Sequence, residues 1–221
     1  MGFRLRAGLS FCLVAGKPIF LDTIEDRYFS LSASSEQSFL ALIAGDRGPA
    51  ILEGVARLAN DRLLEHTSGD ARPLPCLSPP VARASLLDAP RPPLDPLALA
   101  TAGIELAWVT AMLRRGRLHA LIEGVKRRKA RLVSTNPQSG RAMRVAAAAF
   151  ARTRYWSSPH DRCLARSIAI ARRLIATGCG PDLIIAVQVQ PFRAHCWVQH
   201  QGLLVNDRFD TVEPFTPILV V

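Results

Sequence analysis

A dense cluster of prolines divides the sequence into two parts. Eight of the sixteen prolines fall between Pro73 and Pro96, in the stretch ARPLPCLSPPVARASLLDAPRPPLDP. Proline fixes its φ angle and has no backbone N–H, so this stretch is incompatible with a helix or a central strand and favours an extended tether. We therefore predict an N-terminal domain over residues 1–75, a linker over residues 76–96 and a C-terminal domain over residues 97–221.

The N-terminal part has the pattern of a winged-helix-like fold. Three short runs, SFCLVAG, PIFLDT and RYFSLS, contain β-branched or aromatic residues and are separated by turn residues, which predicts three strands. Two amphipathic helices are expected next, the first after a cap at Ser34 and the second from about Pro49. Leu63 and Leu64 predict a third, short helical piece.

The C-terminal part has helical patterns followed by strand patterns. Three segments carry apolar residues at helical spacing: 97–113, 118–133 and 141–156. A fourth helix, containing Cys163, is expected after a cap at Ser158 or Asp161. The runs DLIIAVQVQ, RAHCWVQH, LLVNDR and TPILVV predict strands, so the chain is expected to be an α+β protein.

The positive charge is concentrated in one block. Between Arg114 and Arg173 the chain has sixteen Lys and Arg residues against two acids, Glu123 and Asp161. Such a block attracts nucleic acid, an acidic membrane surface or an acidic peptide, and it is equally typical of a solvated helical face. Because no aromatic residues alternate with the cations as in single-strand binders, we expect no specific nucleic acid and at most peripheral membrane association.

Other features restrict the compartment and the cofactors. The five cysteines have no CxxC spacing, which argues against a disulfide framework and a zinc site and favours a reducing, cytoplasmic setting. Lys17 and Pro18 interrupt the N-terminal apolar run, so no signal peptide is expected. The longest later run, 97–113, carries Glu105 in its middle and is short for a membrane span. No glycine-rich phosphate loop, and hence no ATP site or other cofactor motif, is recognisable.

A cysteine and a histidine form a candidate nucleophile and base. Cys163 falls in the first turn of its predicted helix, where unpaired N–H groups and the helix dipole favour a thiolate. The unperturbed thiol is only a few per cent ionised near neutrality, so it needs help from an imidazole, and His195 is the candidate. We interpret His160 as structural, because the start of a helix disfavours an imidazolium.

The loop after His195 decides whether an aspartate joins this pair. If residues 200–202 form a three-residue hairpin loop, His195 lies directly opposite Asp207, within reach of its carboxylate. A two-residue loop would instead place Asp207 opposite Cys196, on the other face. Each residue alone is typical of a structural role, but the order Cys163, His195, Asp207 favours a nucleophile, a base and an orienting carboxylate.

These segments also resemble a known family. CLARSIAIARRLIATG and PFRAHCWVQHQGLLVND, within about residues 140–215, resemble the transglutaminase-like peptidase domain of lasso-peptide B proteins. The resemblance implies a papain-like cysteine peptidase with Cys163, His195 and Asp207 as its triad, removing the leader from a lasso precursor peptide. It also implies a partner, an asparagine-synthetase-like cyclase that uses ATP. The alternatives are a transglutaminase-like acyl transferase and a non-catalytic nucleic-acid-binding winged-helix protein.

A second resemblance concerns the N-terminal part. GKPIFLDTIEDRYFSL followed by an amphipathic helix is similar to the winged-helix precursor-recognition domains of modified-peptide pathways, which bind a leader peptide as an added β-strand. It implies a leader-binding groove lined by Arg27, Tyr28, Phe29, Leu31 and Leu63. The alternative is that the aromatic residues only form the core and surface of a small sheet.

Overall fold

The chain divides into two units near the start of the predicted linker. The computed structural model describes residues 2–46, 48–132, 139–153 and 162–221. One unit spans Met1–Leu77 and the other Ser78–Val221, so their boundary falls inside the predicted linker. Each unit has its own cluster of buried apolar side chains. The α+β class predicted from the sequence is confirmed.

The first unit combines two small sheets with two helices. In the described residues the elements are β1 (Gly2–Leu5), β2 (Leu9–Val14), β3 (Lys17–Asp22), β4 (Arg27–Ser30), α1 (Ala33–Ala44), α2 (Pro49–Asn60) and β5 (Leu64–Thr67). Strands β2, β3 and β4 form an antiparallel sheet in that order, and β1 pairs with β5. A two-residue turn of Ala15 and Gly16, with φ angles of 49° and 78°, joins β2 to β3, as a tight hairpin requires.

Four phenylalanines form the centre of this unit. Phe11, Phe20 and Phe29 lie opposite one another on β2, β3 and β4. Phe39 of α1 packs edge-on against two of them, with ring centroids 5.0 Å from Phe11 and 5.1 Å from Phe20. These phenylalanines therefore lie on one face of the sheet, and α1 covers that face.

The predicted third helical piece near Leu63 is wrong. The chain turns at Arg62, whose φ is 56°, and Leu64 then begins strand β5 opposite Leu5 of β1. Leu63 is only 6% exposed and belongs to the buried cluster. Two successive leucines fit a short helix as well as the start of a strand, and the choice here depends on β1, about sixty residues earlier in the chain.

The second unit packs helices against a five-stranded sheet. In the described residues the elements are β6 (Ala84–Ser85), α3 (Pro96–Arg114), α4 (Leu118–Ala130), α5 (Ser139–Arg152), α6 (Arg162–Ala176), β7 (Asp182–Val189), β8 (Phe192–His200), β9 (Leu203–Leu204), α7 (Phe209–Val212) and β10 (Thr216–Val220). The strand order of the sheet is β10-β7-β8-β9-β6. Helix α6 is the central helix, with Ile168, Ile170 and Leu174 fully buried.

Part of the proline-rich stretch belongs to this sheet. Strand β6 lies between its prolines and pairs in parallel with β9. The Gln199 side-chain amide donates to the carbonyl of Pro80 at 2.7 Å, and the Leu86 N–H donates to the carbonyl of Leu204 at 2.9 Å. Residues 78–96 are therefore not the free tether that the proline content predicted. An edge strand is the place where such a segment can join a sheet, because only one side of it must be paired.

Candidate active site

The start of helix α6 places the Cys163 thiol among backbone donors. Cys163 is the second residue of α6 and is half-buried. The thiol forms hydrogen bonds with the backbone N–H groups of Leu164 and Cys196 and with the side chain of His195. The first N–H groups of a helix have no partner within the helix, so they are free to point at the sulfur. The structure thus brings the thiol of Cys163 and the side chain of His195 together.

Strand β8 holds the imidazole between this thiol and a carboxylate. His195 lies opposite Ala186 of β7, and its side chain is 17% exposed. Its Nε2 atom is 2.6 Å from Oδ2 of Asp207. The Phe215 ring lies beside the imidazole with centroids 5.2 Å apart. Since Nε2 is engaged by the carboxylate, Nδ1 is the nitrogen left for Cys163.

The hairpin that brings Asp207 here differs from the predicted one. The loop has two residues, Gln201 and Gly202, with φ angles of 51° and 78°, and His200 pairs with Leu203. The predicted three-residue loop is therefore wrong, and in a regular ladder this register would place Asp207 opposite Cys196. The contact with His195 forms nevertheless, because the regular ladder of β9 ends at Leu204.

The side chain of Asn206 takes the place of a backbone hydrogen-bond acceptor where the ladder ends. Its side-chain oxygen accepts a hydrogen bond from the Val198 N–H at 2.8 Å, on the strand that carries His195. The backbone carbonyl of Asp207 accepts from the Ser85 hydroxyl at 2.6 Å, and Oδ1 of Asp207 accepts from the Arg208 N–H at 2.9 Å. These bonds hold the bent segment so that the second carboxylate oxygen points at the imidazole.

A buried serine connects the three segments that carry the site. The Ser167 hydroxyl donates to the carbonyl of Cys196 at 2.8 Å and accepts from the Asn206 side-chain amide at 2.9 Å. Ser167 is fully buried and lies one helical turn after Cys163. We call this pair of hydrogen bonds the Ser167–Asn206 bridge. It joins the helix of Cys163 to the strand of His195 and to the segment of Asp207.

The site shifts the ionisation of the thiol and the imidazole in opposite directions. Burial raises the pKa of Cys163. The hydrogen bond and charge of His195, together with the two backbone N–H groups, outweigh this effect, so the pKa lies below its usual value. Burial lowers the pKa of His195, but its hydrogen bonds to Asp207 and Cys163 raise it to about 9. Both shifts favour a thiolate beside an imidazolium near neutral pH.

The neighbouring thiol has the opposite character. Cys196 is fully buried on β8, and this burial raises its pKa well above the usual value. A neutral, enclosed thiol is a poor nucleophile. Of these two adjacent cysteines, Cys163 therefore has the environment of a nucleophile and Cys196 that of a core residue.

The five residues predicted to bind a leader peptide lie in the first unit. Arg27, Tyr28 and Phe29 belong to β4, which is a terminal strand of its sheet, and Leu31 follows it. Phe29 stacks on Phe20 of the core, whereas Arg27 is exposed. Leu63 lies in the buried core of the unit. His160, Ser158 and Asp161 lie outside the described residues.

Sequence reasoning did not assign roles to Ser167, Asn206 or Ser85. Ser167 had a detectable signal, since it is a polar residue on the apolar face of α6, four positions after Cys163. Asn206 has the local pattern of a turn residue, which hides its bond to Val198. Ser85 lies in the proline-rich stretch, where nothing in the local pattern points to Asp207.

Comparison with known proteins identifies the second unit. The model of the transglutaminase-like superfamily matches residues 100–220. This superfamily generally contains cysteine proteases and acyl-transferring enzymes. No significant match was found among curated proteins or among solved structures.

Proposed function

Because the chain belongs to the transglutaminase-like superfamily, we propose that it is a cysteine peptidase that removes the leader from a lasso-type precursor peptide before ring closure. The observation that carries the peptidase assignment is the hydrogen-bonded order of thiol, imidazole and carboxylate in Cys163, His195 and Asp207. The leader-peptidase assignment rests in addition on the resemblance of these segments to lasso-peptide B proteins.

The chemistry follows from this order. The Cys163 thiolate attacks the scissile carbonyl carbon, and the C–N bond breaks as His195 donates its proton to the leaving amine, which is the new N-terminus of the core peptide. Water then attacks the resulting thioester, His195 accepts its proton, and the leader is released with a new carboxylate. Asp207 stabilises the imidazolium and fixes the orientation of the ring. The backbone N–H of Cys163 is the candidate donor to the oxyanion.

Strand β4 is the proposed site for the leader peptide. At the opposite edge of the same sheet, the Cys76 N–H donates to the carbonyl of Phe11 of β2 at 2.7 Å, so the chain itself occupies part of that edge. An added peptide strand would then pair with β4, where Arg27 and Tyr28 contribute side chains and Phe29 is supported by the core. Leu31 and Leu63 belong to the apolar core beneath this proposed binding site.

The product of this reaction needs a second enzyme. Hydrolysis leaves a free core amine, and forming an amide from it and a carboxylate requires activation of that carboxylate. We assign this step to a separate asparagine-synthetase-like cyclase that uses ATP, and we place both proteins in the cytoplasm. The cyclase assignment rests on the resemblance to lasso-peptide pathways, and the cytoplasmic placement rests on the cysteine spacing.

The same thioester could instead pass its acyl group to an amine, as transferases of the superfamily do. The products distinguish the two reactions. The full chain is incubated in H₂¹⁸O with a precursor peptide, chosen from short neighbouring open reading frames that encode a leader and a core, and the products are weighed by mass spectrometry. Hydrolysis gives a leader with one ¹⁸O in its new carboxylate, whereas transfer gives a leader joined to an amine.

Two variants test the assigned residues. Cys163→Ala is expected to abolish cleavage and to leave leader binding, measured by calorimetry, unchanged. Tyr28→Glu on β4 is expected to weaken binding, whereas Ile24→Glu, at a residue 47% exposed before β4, adds the same charge without this effect. Cleavage by Cys163→Ala would refute the assignment of Cys163 as the nucleophile. Equal leader binding by the two glutamate variants would refute the assignment of β4 as the leader site.

A further inference from the structure

Helix α3 exposes a continuous apolar face. Leu97 is 73% exposed, Ile104 is 70% exposed and Trp108 is 43% exposed. Their spacing of seven and four residues places them on one side of the helix. The exposed positions of α3 before Arg114 are all apolar: Pro96, Leu97, Ala100, Ile104, Ala107 and Trp108. We call this set the α3 stripe.

The other side of α3 attaches it to the domain. Ala102, Leu106 and Val109 are buried where α3 packs on α5 and α6. The helix is long and apolar enough to cross a membrane, with 19 residues and a mean hydropathy of 1.5, but only 17% of this window is buried in the protein. Because one side is already packed against other helices, the free side suits a helix that lies along a surface.

A partly buried ion pair holds the largest side chain of the stripe. The Arg172 guanidinium lies 4.1 Å from the centroid of the Trp108 ring, and its Nε donates to Glu105 at 3.1 Å. Arg172 is only 8% exposed. The indole is therefore held from the protein side while part of it faces outward. Tryptophan, like tyrosine, is enriched at the boundary between water and lipid.

The stripe ends in a group of cations. Arg114, Arg115 and Arg117 are all exposed at the C-terminal end of α3. Arg115 follows Leu97 by eighteen residues, or about five helical turns, so it continues the line of the stripe. An apolar helix face with arginines beside it is the pattern of segments that lie at an anionic lipid surface.

The size of the stripe favours lipid over a protein partner. From Leu97 to Trp108 it is ~17 Å long and ~10 Å wide, which gives an area on the order of 200 Å². A stable protein interface buries about 800 Å² on each partner, whereas one amphipathic helix suffices for a lipid surface. We propose that the α3 stripe, with Arg114, Arg115 and Arg117, binds an anionic membrane surface with α3 parallel to its plane. This holds whether or not the chain is a peptidase.

Sedimentation with lipid vesicles tests this. The full chain is expected to bind mixed phosphatidylcholine and phosphatidylglycerol vesicles and to release them as salt is raised, but to bind phosphatidylcholine alone weakly. Ile104→Glu is expected to weaken binding by about tenfold or more, because it places a carboxylate among apolar contacts facing lipid. Leu77→Glu is the matched control, since that residue is 80% exposed and lies outside the stripe.

The arginines are tested separately. Replacing Arg114, Arg115 and Arg117 together with glutamine is expected to reduce binding about 100-fold, because each cation contributes roughly fivefold. Should Ile104→Glu fail to fold by circular dichroism, Leu97→Glu makes the same test. The proposal is overturned if the wild type does not bind vesicles that contain phosphatidylglycerol. It is also overturned if the glutamate variant of the α3 stripe binds these vesicles as well as Leu77→Glu does. It is equally overturned if the wild type is a dimer that Ile104→Glu makes monomeric.

Discussion

Replacing Ser167 with alanine is expected to destabilise the second unit and to slow the reaction of Cys163 with alkylating reagents. The Ser167–Asn206 bridge is the reason, because one hydroxyl donates to the Cys196 carbonyl and accepts from the Asn206 amide. Alanine is close to serine in size, so the change removes both hydrogen bonds while leaving only a small space. The variant therefore measures the bridge rather than the packing of α6.

The expected size of the effect follows from the burial of the three groups. Each lost hydrogen bond costs about 1 kcal/mol net, and a buried group left without a partner costs about 1–3 kcal/mol. Because Ser167 is fully buried, water cannot reach the Cys196 carbonyl in its place, and this carbonyl pays most of the free-energy cost of an unpaired buried group. Asn206 is only half-buried, so its amide can form part of its hydrogen bonding with water instead. We therefore expect a loss of about 2–3 kcal/mol in the free energy of unfolding.

Urea denaturation followed by tryptophan fluorescence measures this loss. Trp108, Trp156 and Trp197, the three tryptophans of the chain, all belong to the second unit, so the signal reports on that unit. Thr153→Val is the matched control, because it removes a fully buried hydroxyl that donates to a backbone carbonyl at 2.8 Å elsewhere in the unit. The control is expected to lose about 1 kcal/mol.

Thiol reactivity separates positioning from stability. Iodoacetamide labelling of Cys163 is followed by peptide mass spectrometry, because the chain has four other cysteines. Ser167→Ala is expected to shift the labelling profile to higher pH, since the imidazole and the helix start are no longer held together, whereas Thr153→Val leaves it unchanged. A loss of stability below about 0.5 kcal/mol together with an unchanged labelling profile would refute the role of the bridge.

Three further predictions concern Asp207 and Gly54. Asp207→Asn removes the main group that raises the pKa of His195, so His195 becomes neutral at lower pH and iodoacetamide labelling of Cys163 shifts to higher pH. Because the pKa of His195 is raised in the folded state, its protonation stabilises the fold fully at pH values below the ordinary histidine pKa, and this stabilisation is lost as the pH rises through about 9. Urea denaturation is therefore expected to show a larger loss of unfolding free energy for Asp207→Asn at pH 6 than at pH 10. Gly54→Ala is expected to cost about 1–3 kcal/mol in the same assay, monitored by circular dichroism, because the new methyl group would lie 2.7 Å from Cβ of Ser38, and Ser38→Gly in the same chain should recover most of the loss.

The sequence predicted the elements whose evidence is local. Strands β2, β3 and β4 were expected because each run contains β-branched or aromatic residues and is bounded by turn residues, and their phenylalanines do lie opposite one another. Helix α6 was expected from apolar residues at helical spacing. In such segments the hydrophobic period and the local propensity agree, so neighbouring residues alone determine the element.

The elements that the sequence did not predict depend on distant partners. The chain at Leu64 is a strand because β1 is available to pair with it, and β6 exists because β9 presents a free edge. The secondary-structure propensity of a segment carries no information about the strand with which it will pair. A composition dominated by proline therefore predicted a tether where the fold has an edge strand.

The candidate site shows how a correct contact can arise from an incorrect register. The expected pairing of His195 with Asp207 assumed a regular ladder, in which loop length alone would decide the neighbour. In the structure the ladder ends at Leu204, and side-chain bonds from Asn206 and Ser85 set the position of the carboxylate instead. The geometry of the site is therefore fixed by polar side chains outside the triad.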